Sequence, residues 1–77
     1  MNIMKELAVK VLELLEKEKR ATPAWMRETL QVPAGTLRNV LVVLSDLRLI
    51  ETYPARGNYR ITQLGEQTLK AIKEKKQ

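Results

Sequence analysis

Residues 22–65, TPAWMRETLQVPAGTLRNVLVVLSDLRLIETYPARGNYRITQLG, decide the fold. Thr22-Pro23 is a helix start, a hydroxyl cap followed by a proline whose fixed φ suits the first helical position. The helix it opens is read over residues 23–30, with Met26 and Leu30 as its inward pair. Gln31 and Val32 make a tight turn, and Pro33 opens a further helix over residues 33–47. There Leu37, Val40, Leu41, Leu44 and Leu47 recur at helical spacing as one apolar stripe. Ala34, Gly35, Arg38, Asn39, Val42, Ser45 and Asp46 lie mostly opposite. Residues 49–53 and 58–61 are short β-favouring runs, with Ile50 and Ile61 expected to face inward. Between them Gly57 supplies a residue that takes positive φ at little cost. Thr62 then caps a last helix, residues 63–74, striped by Leu64, Thr68, Leu69 and Ile72.

Outward from this stretch, Ile3, Leu7, Val11, Leu14 and Leu15 mark a first helix over residues 3–18. Met4, Ala8, Val9 and Leu12 widen its apolar surface past one face, so the helix is either buried on two sides or meets a partner. The reading is a mainly α single domain with a small β-hairpin, in the order α-α-α-β-β-α. A chain of 77 residues buries only about 60% of its unfolded surface. With neither Cys nor His, disulfides and the common soft metal ligands are absent. Stability must come from an aliphatic core, since Phe is absent too, or from oligomerisation.

Charge is unevenly placed. The net charge is +5, yet residues 1–18 carry three Lys against four Glu, while residues 19–63 carry seven Lys or Arg against three acids. The positive excess thus falls on the helix–turn–helix–hairpin stretch and the tail, where it attracts polyanions. Mere solubility is the plainer explanation of the same sum. The first helix is interrupted by Lys5, Glu6, Lys10 and Glu13, too charged and short for a membrane span, and no targeting segment is visible. A cytoplasmic, nucleoid-associated protein is expected.

Three pieces carry a family resemblance. L-x-V-P-x-x-T-L-x-x-V-L (Leu30 to Leu41) resembles a helix-turn-helix turn and recognition helix. L-x-x-L-x-L-I-E (Leu44 to Glu51) resembles the exit into a wing strand, and Y-R-I-T-x-L-G (Tyr59 to Gly65) the junction after the wing. In this order they resemble the winged helix-turn-helix DNA-binding domains of small regulators, over nearly the whole chain. The resemblance implies that Val32 and Leu37 lock two helices together and that Thr36 sits near the DNA backbone. It also implies a short extra strand near residues 20–22. Departures are visible. Gln31 and Arg48 stand where such domains commonly carry turn glycines, which points to altered turns. Pro33 replaces a capping Ser or Thr, and Arg27 stands where a small residue often packs.

The chemistry of the exposed residues fits the same partner, double-stranded DNA. Arg38 can bridge guanine O6 and N7, Asn39 can bridge adenine N6 and N7, and Val42 can touch a thymine methyl. The alternative is a solvated polar face. Arg56, Asn58 and Arg60 flank the hairpin tip as a basic wing, and Lys19, Arg20 and Arg27 are candidate phosphate contacts. Thr36 can equally bond its own backbone. Trp25, the single Trp, either packs against the first or last helix or marks an interface. With no His, no Cys, a single Asp and no Gly-rich phosphate loop, no catalytic residue, metal site, cofactor or small-molecule ligand is expected. The function expected is sequence-dependent duplex DNA binding by a regulator, dimeric through its first and last helices. The alternative is a protein-interaction or RNA-binding module within a larger assembly.

Overall fold

The computed structural model describes residues 3–52 and 57–75, with the backbone alone of Ile3. Of the expected hairpin loop, Pro54 to Asn58 or somewhat shorter, Pro54 to Arg56 lie outside the described residues, as do Tyr53 before it and Lys76 of the tail. The elements run α1 (Ile3–Glu18), α2 (Pro23–Leu30), α3 (Ala34–Asp46), β1 (Ile50–Thr52), β2 (Tyr59–Ile61) and α4 (Gln63–Lys75). The order is therefore α-α-α-β-β-α, with two antiparallel strands. Among the described residues no helix is long and apolar enough to cross a membrane.

α1 is the central element. It contacts α2, α3, α4 and β2, which accounts for its wide apolar surface. Leu7, Val11, Leu12 and Leu15 are buried, and Ala8, Val9 and Leu14 pack against the core from its edges. Its outer strip, Glu6, Lys10, Glu13 and Lys17, is exposed, with each Glu four residues before a Lys, the favourable order. Among the described residues no polar or charged side chain is buried, so the core is aliphatic apart from Met26.

The two caps read from sequence form. Thr22 Oγ1 accepts the Trp25 N–H at 3.1 Å, and Thr62 Oγ1 accepts the Gly65 N–H at 3.0 Å. Thr62 does more: its hydroxyl donates to the Arg48 carbonyl at 2.7 Å, and its N–H to the Leu49 carbonyl at 3.0 Å. One residue therefore starts α4 and clamps it to the exit of α3. Gly65 is the reason the two can approach so closely. A Cβ there would fall 2.7 Å from Ile61 Cγ1 and closer still to the Leu49 carbonyl oxygen.

The turns keep the left-handed geometry that glycine usually supplies, contrary to the altered turns expected from Gln31 and Arg48. Lys19, Gln31 and Arg48 have φ of 75°, 54° and 60°. Each follows a helix and satisfies its last carbonyls. Lys19 N–H bonds the Leu15 carbonyl at 2.8 Å. After α3, Arg48 N–H bonds the Ser45 carbonyl and Leu49 N–H the Leu44 carbonyl, at 3.0 and 2.9 Å, a Schellman closure. Leu44 and Leu49 are both buried, the apolar pair that accompanies such a closure.

Two residues placed in the core by their spacing are outside it. Leu47 is 57% exposed, because α3 ends at Asp46 and the left-handed Arg48 turns the chain; Leu49 takes the inward place. Leu64 is 49% exposed. It precedes Leu69 by five residues, about 140° around a helix, while Gly65, four before Leu69, is buried in its stead.

The hairpin pairs Ile50 with Ile61, Glu51 with Arg60 and Thr52 with Tyr59. The extra strand expected near residues 20–22 shrinks to a single bridge. Ala21 and Tyr59 exchange backbone bonds of 3.1 and 2.8 Å, fixing the base of the hairpin to the start of α2.

Candidate nucleic-acid interface

The α2–turn–α3 unit is set by the backbone around Gln31. The N–H groups of Gln31 and Val32 both reach the Arg27 carbonyl, the latter at 3.3 Å. Val32 is half-buried and packs against the core, in which Leu37 is buried. Pro33 is the N-cap, as its replacement of a capping Ser or Thr implied, with φ −62° and ψ 148°, and the helix itself begins one residue later, at Ala34. No side chain caps α3. Its first residues, Ala34 and Gly35, are small and exposed, so another molecule can approach that end of the backbone closely.

The outer surface of α3 divides into two flanks. On one, Arg38 and Val42, four residues apart, line an open groove with Ala34 of α3, Pro23 and Arg27 of α2, and Tyr59 of β2. Arg27 thus faces outward at this groove and does not intrude between helices. Val42 is 52% exposed. On the other flank, Val40 and Val43 line a nearly apolar hollow with Met4, Lys5 and Ala8 of α1. Thr36 precedes Val40 by four residues and Val43 by seven, so it belongs to this second flank and is half-buried. Asn39 is exposed on the crest between the two.

A second hollow lies past the start of α2. It is lined by Glu18, Arg20, Ala21, Thr22, Trp25 and Asn58. Trp25 is 41% exposed there and does not join the buried core, so of its two expected places the packed one is not taken. This hollow and the Arg27–Arg38 groove meet at two places in the chain, Thr22 beside Pro23 and Asn58 beside Tyr59, so they adjoin at the Ala21–Tyr59 bridge.

The structure therefore brings Arg27, Arg38 and Val42 together, and Arg20 with Asn58. Lys19 is exposed at its left-handed turn. Arg56 lies outside the described residues. Arg60 is held across the hairpin by its register partner: its Nε donates to Glu51 Oε2 at 2.6 Å. That carboxylate offsets part of the positive charge assigned to the wing.

Sequence reasoning missed Tyr59 and Val43. Tyr59 alternates with the inward Ile61, and that period of two was signal enough to put its ring on the core side of the hairpin. Val43 is exposed beside Val42, so the outer side of α3 carries two exposed valines. No protein-family model matches the chain, and no curated protein matches it in sequence.

Proposed function

We propose that this chain binds double-stranded DNA in a sequence-dependent way, as a small regulator that acts by occupying its site. The observation that carries the reading is the uncovered side of α3. Ala34, Gly35, Arg38, Asn39 and Val42 are all exposed, while Leu37, Val40, Leu41 and Leu44 anchor the opposite side in the core. A helix is roughly 10–12 Å across with its side chains, and the major groove is about 12 Å wide. A firmly anchored helix with a free outer side fits that groove. Arg38 then offers a fork to guanine, Asn39 an amide to adenine, and Val42 a methyl contact to thymine. Arg27, Arg20 and Lys19 stand on the neighbouring segments, where an HTH unit crosses the phosphate backbone. Asn58 and Arg60 serve the wing side, with Arg56 assigned from sequence alone.

Anisotropy of a labelled duplex of random sequence, titrated at several salt concentrations, tests the electrostatic part. Each neutralised phosphate contributes about −0.9 to the slope of log K against log salt. Four contacts imply a roughly 100-fold loss of affinity between about 50 and 200 mM salt. Binding that is absent at low salt, or indifferent to salt, sinks the reading.

A second reading, a protein-interaction module, is favoured by one observation. The Met4, Ala8, Val40 and Val43 hollow is almost wholly apolar, and Val43 and Leu47 beside it are exposed. The dimer expected through α1 and α4 has less apolar surface to join, because those helices cover each other within the chain. Leu69 is fully buried, Ile72 is half-buried, and Lys73 lies 3.7 Å from Glu16 and 4.0 Å from Glu13. A second copy would instead meet the α1–α3 flank.

A further inference from the structure

We infer that Trp25 is a contact residue for the sugar–phosphate backbone of DNA, flanking the groove read by α3. This rests on the duplex-DNA reading and adds to it an uncharged, sequence-independent anchor. An exposed apolar side chain alone signifies little. Here three observations converge. First, Trp25 lines an open hollow with Ala21 and with four polar residues, Arg20, Thr22, Asn58 and Glu18. An aromatic centre within a polar rim is the composition of a contact patch, and tryptophan joins a broad apolar ring to one N–H donor. Second, the residue is rigidly placed. It is the third residue of α2, its N–H is capped by Thr22 Oγ1 at 3.1 Å, and the adjoining Ala21–Tyr59 bridge fixes the hairpin beside it. Third, the hollow adjoins the Arg27–Arg38 groove across that bridge.

α2 is the first helix of the HTH unit, the one that crosses the backbone when the second enters the major groove. A residue near its start therefore meets sugar and phosphate, not base edges. The basic balance of residues 19–63, seven Lys or Arg against three acids, selects a polyanion over a neutral partner. Glu18, the last residue of α1, is the one acid that lines the hollow. A ring packed on deoxyribose, with its N–H toward a phosphate oxygen, uses both halves of the side chain and reads no sequence.

Trp25 is the only Trp in the chain, so intrinsic emission reports this position alone. The experiment follows labelled-duplex anisotropy and Trp emission in one titration of the parent chain. Trp25→Ala and Trp25→Phe are then compared by anisotropy over a range of salt, with circular dichroism to confirm that each folds. The emission of the parent should change saturably, with the midpoint given by anisotropy. Trp25→Ala should weaken every duplex about ten-fold with an unchanged salt slope, because no charge is lost. Trp25→Phe, which keeps a ring but no N–H, should lie between. DNA bound at saturation with no change in Trp25 emission overturns the inference while leaving the DNA reading intact, and assigns the hollow to another partner. Variants that bind like the parent overturn it likewise. No anisotropy change at low salt instead removes the DNA reading on which it rests.

Discussion

Gly65→Ala and Gly35→Ala add the same methyl group to two helices and are expected to act in opposite directions. At Gly65 the new Cβ would lie 2.7 Å from Ile61 Cγ1 and 3.0 Å from the Leu49 carbonyl carbon, and it would overlap the Leu49 oxygen. That oxygen accepts the Thr62 N–H, so relief of the overlap loses a backbone bond worth about 1 kcal/mol. Displacing the first turn of α4 also weakens the Thr62 cap, about 1 kcal/mol more. Overpacking against Ile61 adds about 2 kcal/mol. The gain from replacing a helical glycine returns about 1 kcal/mol. The net cost is about 3 kcal/mol. In a domain of this size each kcal/mol moves Tm by roughly 4–8 °C, so a fall of roughly 15 °C is expected. At Gly35 nothing lies within 4 Å of the added methyl, and the propensity term, smaller in the first turn of a helix, stabilises by about 0.5 kcal/mol. Urea and thermal unfolding followed at the helical dichroism band measure both. If Gly65→Ala unfolds no earlier than Gly35→Ala, the close approach of α4 to the exit of α3 is wrong.

Three further outcomes are expected. Lys19→Gly, Gln31→Gly and Arg48→Gly each relieve a left-handed residue at about 1 kcal/mol and each lose about half of that to unfolded-chain entropy, so the triple variant should gain about 1.5 kcal/mol in urea unfolding; a destabilised triple variant refutes the turn geometry. Glu51→Gln breaks an ion pair whose side chains are 48% and 45% exposed, so stability should change by less than about 1 kcal/mol. On the DNA reading it should also tighten duplex binding several-fold at low salt by unmasking Arg60; unchanged or weaker binding removes Arg60 from the contact set. A dimer, if formed, uses the Met4–Val43–Leu47 flank, so Leu47→Lys should return the sedimenting mass at equilibrium to 8.9 kDa while Leu64→Lys does not. A parent chain already at 8.9 kDa, or a dimer that survives Leu47→Lys, excludes that contact.

What sequence made legible is what local chemistry dictates. Thr22-Pro23 and Thr62 announced two helix starts because capping acts over three residues. The stripe Leu37, Val40, Leu41 and Leu44 announced the buried side of α3 because its period is set by the backbone. Leu47 and Leu64 escaped the same rule. Each lies within two residues of a helix end, where the periodicity stops and a turn decides the direction of the side chain. Lys19, Gln31 and Arg48 carry no glycine signal, yet their helices close through left-handed residues, since satisfying terminal carbonyls outweighs about 1 kcal/mol of backbone strain. The Arg60–Glu51 pair depends on strand register, and register depends on a hairpin loop whose length the sequence left open. At the candidate site, residue types could be assigned on chemistry, but their grouping into two flanks of α3 needed the position of α1.

The central claim is that α3 reads bases, and specificity tests it more directly than affinity. Duplexes selected from a random pool by the parent chain define a preferred site, against which Arg38→Ala and Asn39→Ala are measured with every single-base substitution. Each variant is expected to lose roughly 1–3 kcal/mol of discrimination at one base pair, a guanine for Arg38 and an adenine for Asn39, while other positions keep their preference. Arg27→Ala should weaken all sequences alike and flatten the salt slope by about 0.9. A selection that yields no preferred site, or variants of Arg38 and Asn39 that keep the parent's preference at every position, would contradict the account.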